Sequence, residues 1–75
     1  MNGKLLKAKM VECDVKPAEL AKACEISVNS CYRKIRGESQ FLPSEISAVT
    51  NTLHLTPKEF FYVFFPDLIK SKKEN

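Results

Sequence analysis

Apolar residues recur at helical spacing in five segments of this chain, and each segment predicts one α-helix. The first helix is expected over residues 4–13, with Lys4, Lys7 and Lys9 facing solvent. The second begins at Pro17, because a proline at the first helical position loses no hydrogen bond. Pro43 starts the fourth in the same way. The inward-facing positions are Leu6, Met10 and Cys13 in the first helix, Leu20, Ala21 and Cys24 in the second, Cys31 and Ile35 in the third, and Ile46, Val49 and Leu53 in the fourth.

Only a short turn separates the second helix from the third. Ser27 is a good N-cap residue, and Ile26 can pack against Cys31 four positions into the next helix. The third helix is therefore expected over residues 28–36, and Gly37 closes it. A helical wheel groups four side chains in one polar, cationic sector opposite the core stripe: Asn29, Tyr32, Arg33 and Arg36. The pair is typical of a helix-turn-helix and indicates DNA, although any small bundle also carries solvated Arg and Lys.

The fifth helix has the clearest start signal in the chain. Thr56 is the expected N-cap, Pro57 takes the first position, and Glu59 completes a capping box. The helix then carries Phe60, Phe61, Val63, Phe64 and Phe65, and Pro66 ends it.

Five apolar residues within six positions are more than one helix face can bury in a small core. Phe60, Val63 and Phe64 share the inward stripe, which leaves Phe61 and Phe65. They are expected to form a dimer interface, because exposed aromatic patches usually mark interaction sites. The alternative is that Leu68 and Ile69 fold back and cover them.

The length of 75 residues leaves room for one domain with a modest core. We assign it to residues 1–69, followed by a polar tail at 70–75, with Phe41 and Leu42 anchoring the preceding loop on the core. An enzyme is not expected, because the single His54 and the scattered carboxylates form no acid–base or nucleophile arrangement. The charge is +3, and all of the excess lies in residues 1–40, with 8 basic against 5 acidic residues. This bias fits a phosphate-binding surface.

The three cysteines lack the spacing of a metal site. Cys13, Cys24 and Cys31 fit small buried thiols in a reducing cytoplasm, and a zinc site that adds His54 is the remote alternative. No metal, other cofactor or small-molecule substrate is expected. No apolar run approaches the ~20 residues that span a bilayer, and nothing resembles a signal peptide. We therefore expect a cytoplasmic protein without a membrane partner.

Three stretches carry a family resemblance: residues 30–37 (SCYRKIRG), 41–46 (FLPSEI) and 55–65 (LTPKEFFYVFF). Together with the order of helices and the turn around Glu25, residues 4–65 resemble the lambda-repressor-like, or Cro/CI-type (XRE), helix-turn-helix family. The nearest resemblance is to small Cro-like repressors of phages and prophages of Gram-positive bacteria. It implies an all-α, five-helix fold, a homodimer and a double-stranded DNA operator as partner.

The resemblance also implies roles by position. Lys16 and Pro17 open the second helix and Ser27 opens the third, where the family contacts phosphates. Arg33 suits guanine and Asn29 suits adenine, while Val28 can offer only apolar contact to a thymine methyl or a flanking core contact. The full expected DNA-binding set is Lys16, Pro17, Ser27, Val28, Asn29, Ser30, Tyr32, Arg33, Lys34 and Arg36, of which Lys34 and Arg36 would bind phosphates.

Three positions depart from the family pattern. Pro17 replaces a frequent Gln that binds phosphate. Glu25 replaces a frequent Gly, and a side chain there lowers the stability of the fold by ~1 kcal/mol if its φ is positive. Met10 and Ile35 replace a frequent Arg and Glu, which predicts a dry contact between the first and third helices. A different class of function is also open, in which the aromatic fifth helix binds another regulator and DNA is incidental.

Overall fold

The computed structural model describes residues 1–68, and the chain is all-α. Five helices follow one another: α1 (Gly3–Glu12), α2 (Pro17–Cys24), α3 (Val28–Ile35), α4 (Pro43–Thr52) and α5 (Pro57–Phe64). Residues 66–68 are helical again, and residues 1–68 contain no β-strand. The five expected helices are confirmed, with α1 and α3 ending one residue earlier than predicted. Ile69 and the tail predicted for residues 70–75 lie outside the described residues.

The helices begin where the sequence offers a cap. At α5 the Glu59 N–H donates to Thr56 Oγ1 at 3.1 Å, and the Thr56 N–H donates to Glu59 Oε1 at 3.0 Å. This is the predicted capping box, and it satisfies two amide groups that the helix itself leaves unpaired. The helices α2 and α4 each open on a proline, with the carboxylate of Glu19 or Glu45 accepting from the backbone N–H that precedes that proline.

Four helices end in the same backbone motif. One or two residues after each of them, the backbone takes a left-handed conformation, and two N–H groups bond back to carbonyls of the last turn. These bonds satisfy carbonyls that would otherwise lack a donor. The left-handed residues are Asp14 after α1, Glu25 after α2, Gly37 after α3 and His54 after α4.

The core lies where α2 packs against both α3 and α4, and where α1 packs against α5 and α3. Its fully buried side chains are Leu6, Leu20, Cys31, Val49, Leu53 and Val63. Two contacts fasten α1 to α5. The Asn2 N–H donates to the Val63 carbonyl at 2.7 Å, and Lys9 Nζ lies 2.8 Å from Glu59 Oε2.

Outside the third helix, two expected side-chain placements are wrong. Lys9 was expected to face solvent, but its side chain is largely buried between Glu12 and Glu59, because α5 lies along that side of α1. Leu42 was expected to anchor the loop with Phe41. Phe41 is buried edge-on against Phe64. Leu42 is the N-cap residue of α4, so its backbone groups take part in the start of that helix while its side chain is exposed.

Candidate nucleic-acid interface

The connection between α2 and α3 consists of Glu25, Ile26 and Ser27, and hydrogen bonds fix both of its ends. Glu25 takes φ 59°, and the Ile26 N–H donates to the Ala21 carbonyl at 3.0 Å. Ser27 Oγ then accepts from the Ser30 N–H at 3.1 Å and so caps α3. With Ile26 packed on the core, the three residues hold α3 at a defined angle to α2.

One side of α3 is buried and the other is exposed. Cys31 and Ile35 lie in the core, as the helical wheel predicts. The predicted outer sector is at the surface: Asn29, Tyr32, Arg33 and Arg36. Val28 is 41% exposed and is not among the apolar side chains that pack on the core, which favours the surface position over the core contact that the sequence left open for it. The exposed face therefore offers one amide, one phenol, two guanidinium groups and one apolar side chain.

Lys34 is a correction to the expected phosphate contacts. The side chain is buried, with the residue only 9% exposed, and its Nζ forms an ion pair with Glu45 Oε1 on α4. Burial alone would raise the pKa of Glu45, but the hydrogen bonds from Lys34 and from the Leu42 N–H outweigh it and hold that pKa below its usual range. Lys34 is thus committed to a carboxylate and is not available to a phosphate.

Arg36 is exposed but not isolated. Its Nε lies 2.7 Å from Glu38 Oε2, and this hydrogen bond raises the pKa of Arg36 and lowers the pKa of Glu38. Arg33 also lowers the Glu38 pKa. Since both partners are half exposed, water and salt screen the pair, and a phosphate can displace the carboxylate from Arg36 at little cost.

The start of α2 lies beside the end of α3. Lys16 and Pro17 line the same surface groove as Tyr32 and Arg36, so the structure brings together cations from two helices that the resemblance assigned to the DNA backbone. Lys7 of α1 lines this groove as well. The sequence predicts no binding role for Lys7, because Lys7 reaches this groove only through the packing of α1 on α3, which no local sequence pattern indicates.

Met10 and Ile35 lie at the floor of this groove. Both are almost fully buried, and they occupy the two positions at which the resembling family frequently has a charged pair. Their burial agrees with the prediction of an apolar contact between α1 and α3. The base of the α3 face is therefore held by packing and contributes no charge of its own.

The remaining polar and thiol groups do not form a second centre among residues 1–68. No group of three or more His, Cys, Asp or Glu side chains there is arranged to hold a metal ion. Burial raises the pKa of the Cys24 thiol to about 11 and also raises that of Cys31, so both remain protonated at neutral pH. In the same part of the chain, no helix has the length and apolar character needed to cross a bilayer.

Comparison of the chain with protein-family models, with curated proteins and with solved structures gives no match. The assignment of a function therefore rests on the chain's own residues and on the surface that they form.

Proposed function

We propose that this chain is a sequence-specific DNA-binding regulator of the lambda-repressor-like helix-turn-helix class, with a Cro-like repressor as its specific form. Its third helix enters the major groove of a double-stranded operator. The observation that carries the proposal is the division of α3 into a buried stripe and a polar, cationic outer face beside the start of α2. The host cytoplasm, which keeps thiols reduced, is its expected location.

Base readout rests on two side chains. Arg33 can pair with guanine through two hydrogen bonds, and Asn29 can do the same with adenine. Tyr32 and Ser30 lie on the same helix and can assist them, and the exposed Val28 can contact a thymine methyl. Phosphates are bound by Lys16, Ser27 and Arg36, which fixes the position of the protein on the duplex. Pro17 has no N–H to donate to a phosphate, so it contributes only by opening α2 next to Lys16.

The operator is expected to be pseudo-palindromic, because a homodimer repeats its recognition helix about one DNA turn (~34 Å) away. Phe61 and Phe65 are the proposed contact between protomers. They are 45% and 40% exposed, next to the exposed Tyr62 and Leu68.

The test begins by selecting bound sites from a random pool of DNA duplexes. On the selected site, Arg33→Ala should cost about 1–3 kcal/mol of binding free energy and remove the preference at one base pair. Lys16→Ala should weaken all sequences equally and lower the salt dependence. Lys58→Ala on α5 is the matched control, since it removes one positive charge away from α3. Uniform loss of affinity in both test variants would show that Arg33 contacts only phosphate.

The exposed aromatic patch on α5 favours a second candidate, a module that binds another regulator. In that case a stable complex with a different protein would survive Arg33→Ala and Asn29→Ala. Steep dependence of DNA binding on salt and on operator sequence would instead support the first proposal.

A further inference from the structure

A surface groove of about 520 Å³ separates α1 from the outer side of α3. Its floor is made of Met10 and Ile35, which are almost fully buried, and Val15 and Pro17 continue it along the turn between α1 and α2. The volume falls within the range of small-molecule sites, roughly 300–1,000 Å³. The two side chains proposed to read bases, Asn29 and Arg33, do not line this groove.

One wall of the groove is an apolar side chain left in water. Val11 is 81% exposed on α1, beside the apolar floor. Single exposed apolar residues are ordinary, but an apolar floor, an exposed apolar wall and the ring of Tyr32 together form a continuous surface that an occupant would remove from water.

The rim of the groove is predominantly cationic. Lys7, Lys16 and Arg36 stand around it against one carboxylate, that of Asp14. Arg36 is already hydrogen-bonded to Glu38, whereas the ion pairs formed within residues 1–68 include neither Lys7 nor Lys16. A ligand with an apolar portion and an anionic head group complements this arrangement, because each lysine ammonium can make a charge-assisted hydrogen bond to the head group.

We propose that this groove binds an amphipathic organic anion, an aliphatic or aromatic monocarboxylate whose body lies on Met10 and Ile35 and whose carboxylate reaches Lys16 or Lys7. The occupant is a small molecule, because the volume of the groove lies in the range of small-molecule sites. The groove shares Lys16, Tyr32 and Arg36 with the proposed DNA surface.

Binding of an anion at this site has a regulatory consequence. This consequence rests on the proposed function, whereas the existence of the site does not. A bound carboxylate neutralises Lys16 and places negative charge beside the path of a phosphate. The anion therefore competes with DNA, and the ligand acts as a releasing effector.

The first experiment uses the full chain without DNA. Decanoate, below its micelle concentration, is titrated into ¹⁵N-labelled protein, and saturable amide shifts are expected at the residues that line the groove. Decyltrimethylammonium has the same tail and the opposite head charge, and it should bind at least about tenfold more weakly, the size expected of one charge-assisted pair. Equal affinity of the two probes, shifts centred on α5, or no saturation would overturn the proposal. Groove shifts that depend on protein concentration without ligand would identify a second copy as the occupant, which also contradicts it.

The second experiment compares two neutral surface variants. Val11→Gln removes the apolar wall and should weaken decanoate binding severalfold, while Leu42→Gln changes an exposed leucine outside the groove and should leave it unaltered. Circular dichroism checks that both variants fold. Decanoate should then weaken DNA binding by the wild type and by Leu42→Gln at the same concentrations, and by Val11→Gln only at severalfold higher ones.

The outcomes separate the two proposals. Saturable decanoate binding by a chain that binds no DNA sequence would refute the proposed function and leave the site standing. Specific DNA binding by a chain whose groove does not bind decanoate would refute the site and leave the proposed function standing.

Discussion

Three helices are followed, one or two positions later, by a residue other than glycine in the left-handed backbone region, namely Asp14, Glu25 and His54, with φ between 52° and 59°. A side chain costs roughly 1 kcal/mol there, because its Cβ crowds the following carbonyl. The conformation persists because the two backbone hydrogen bonds that it allows satisfy the last carbonyls of the helix. At Glu25 this strain lies in the turn that orients α3.

The strain at Glu25 leads to a first prediction. Glu25→Gly should raise the free energy of unfolding by about 0.5–1 kcal/mol, since glycine adopts a positive φ without the Cβ penalty. The measurement is the urea midpoint at constant slope. Gly37→Ala is the matched control, because Gly37 has φ +86° and open space where a Cβ would go, so only backbone strain should lower stability. A loss of stability in Glu25→Gly would show that the glutamate side chain makes a compensating contact.

The sequence predicted some of these residue details and not others. The cost of Glu25 was anticipated because the family pattern places a glycine there, and its positive φ confirms the condition. Asp14 and His54 carry no such signal. Lys34 was assigned to phosphate although it lies three positions after Cys31, on the flank of the core stripe. Its carboxylate partner Glu45 comes from another helix, and that pairing depends on how α3 and α4 pack.

At the scale of elements, α3 is held to α4 by the ion pair of Lys34 and Glu45, while the same Glu45 oxygen accepts from the Leu42 N–H at the start of α4. Two largely buried charges gain little net stability together, because desolvation offsets their attraction. Removing one partner is different, since it leaves the other charge buried without compensation.

The second prediction separates structural from DNA-binding roles of Lys34. Glu45→Gln alone should destabilise the fold by about 3 kcal/mol, because the ammonium of Lys34 loses its counter-charge. Adding Lys34→Met should recover most of that loss, since methionine fills the space and the glutamine can still accept from Leu42. The double variant should bind the selected DNA site with unchanged salt dependence. A reduced salt slope would restore Lys34 to the phosphate contacts, and no recovery of stability would mean that the pair is not what joins α3 to α4.

The third prediction concerns acid. The hydrogen bond from Lys9 lowers the pKa of Glu59, and the bonds from Lys34 and Leu42 outweigh burial and lower that of Glu45. A carboxylate with a depressed folded pKa binds fewer protons folded than unfolded, so its contribution is present above the unfolded value near 4.3 and is lost as pH falls through the folded value. Urea midpoints should therefore stay level down to about pH 5 and decline below it. The Lys34→Met, Glu45→Gln double variant should show a shallower decline, and an identical acid profile would contradict the assignment to Glu45.

At the scale of the whole molecule, the sequence predicts only those parts of the candidate interface that lie on a single helix. The outer face of α3 follows from its periodicity. The groove beside it needs α1 to lie across α3, a long-range contact that no local pattern specifies, so Lys7 and Val11 received no role from the sequence.

Another whole-molecule feature is a chain of aromatic rings that runs from the interior to the surface. Phe41 meets Phe64 edge-on at 6.1 Å, Phe64 lies 5.5 Å from Phe60, and Phe60 contacts both Phe61 and Phe65. The inner members are buried or half-buried and the last two are exposed, as the crowding of aromatic residues on α5 predicted. Leu68 is itself exposed and does not cover them, and Ile69 lies outside the described residues.

The fourth prediction assigns Phe61 and Phe65 to a symmetric contact between two copies of the chain, which would bury both patches with one self-complementary surface. Phe65→Lys should give a folded protein with an unchanged helical circular dichroism signal that sediments as a monomer, whereas the wild type and the control Leu42→Lys sediment as dimers. The variant should bind a full operator weakly and an isolated half-site as well as the wild type does, because α3 is untouched. Unfolding of Phe65→Lys would place the ring in the core of one protomer, through its contacts with Phe60 and Phe61. A wild type that stays monomeric both free and on DNA would rule out the dimer, and the exposed rings would then point to a different protein partner.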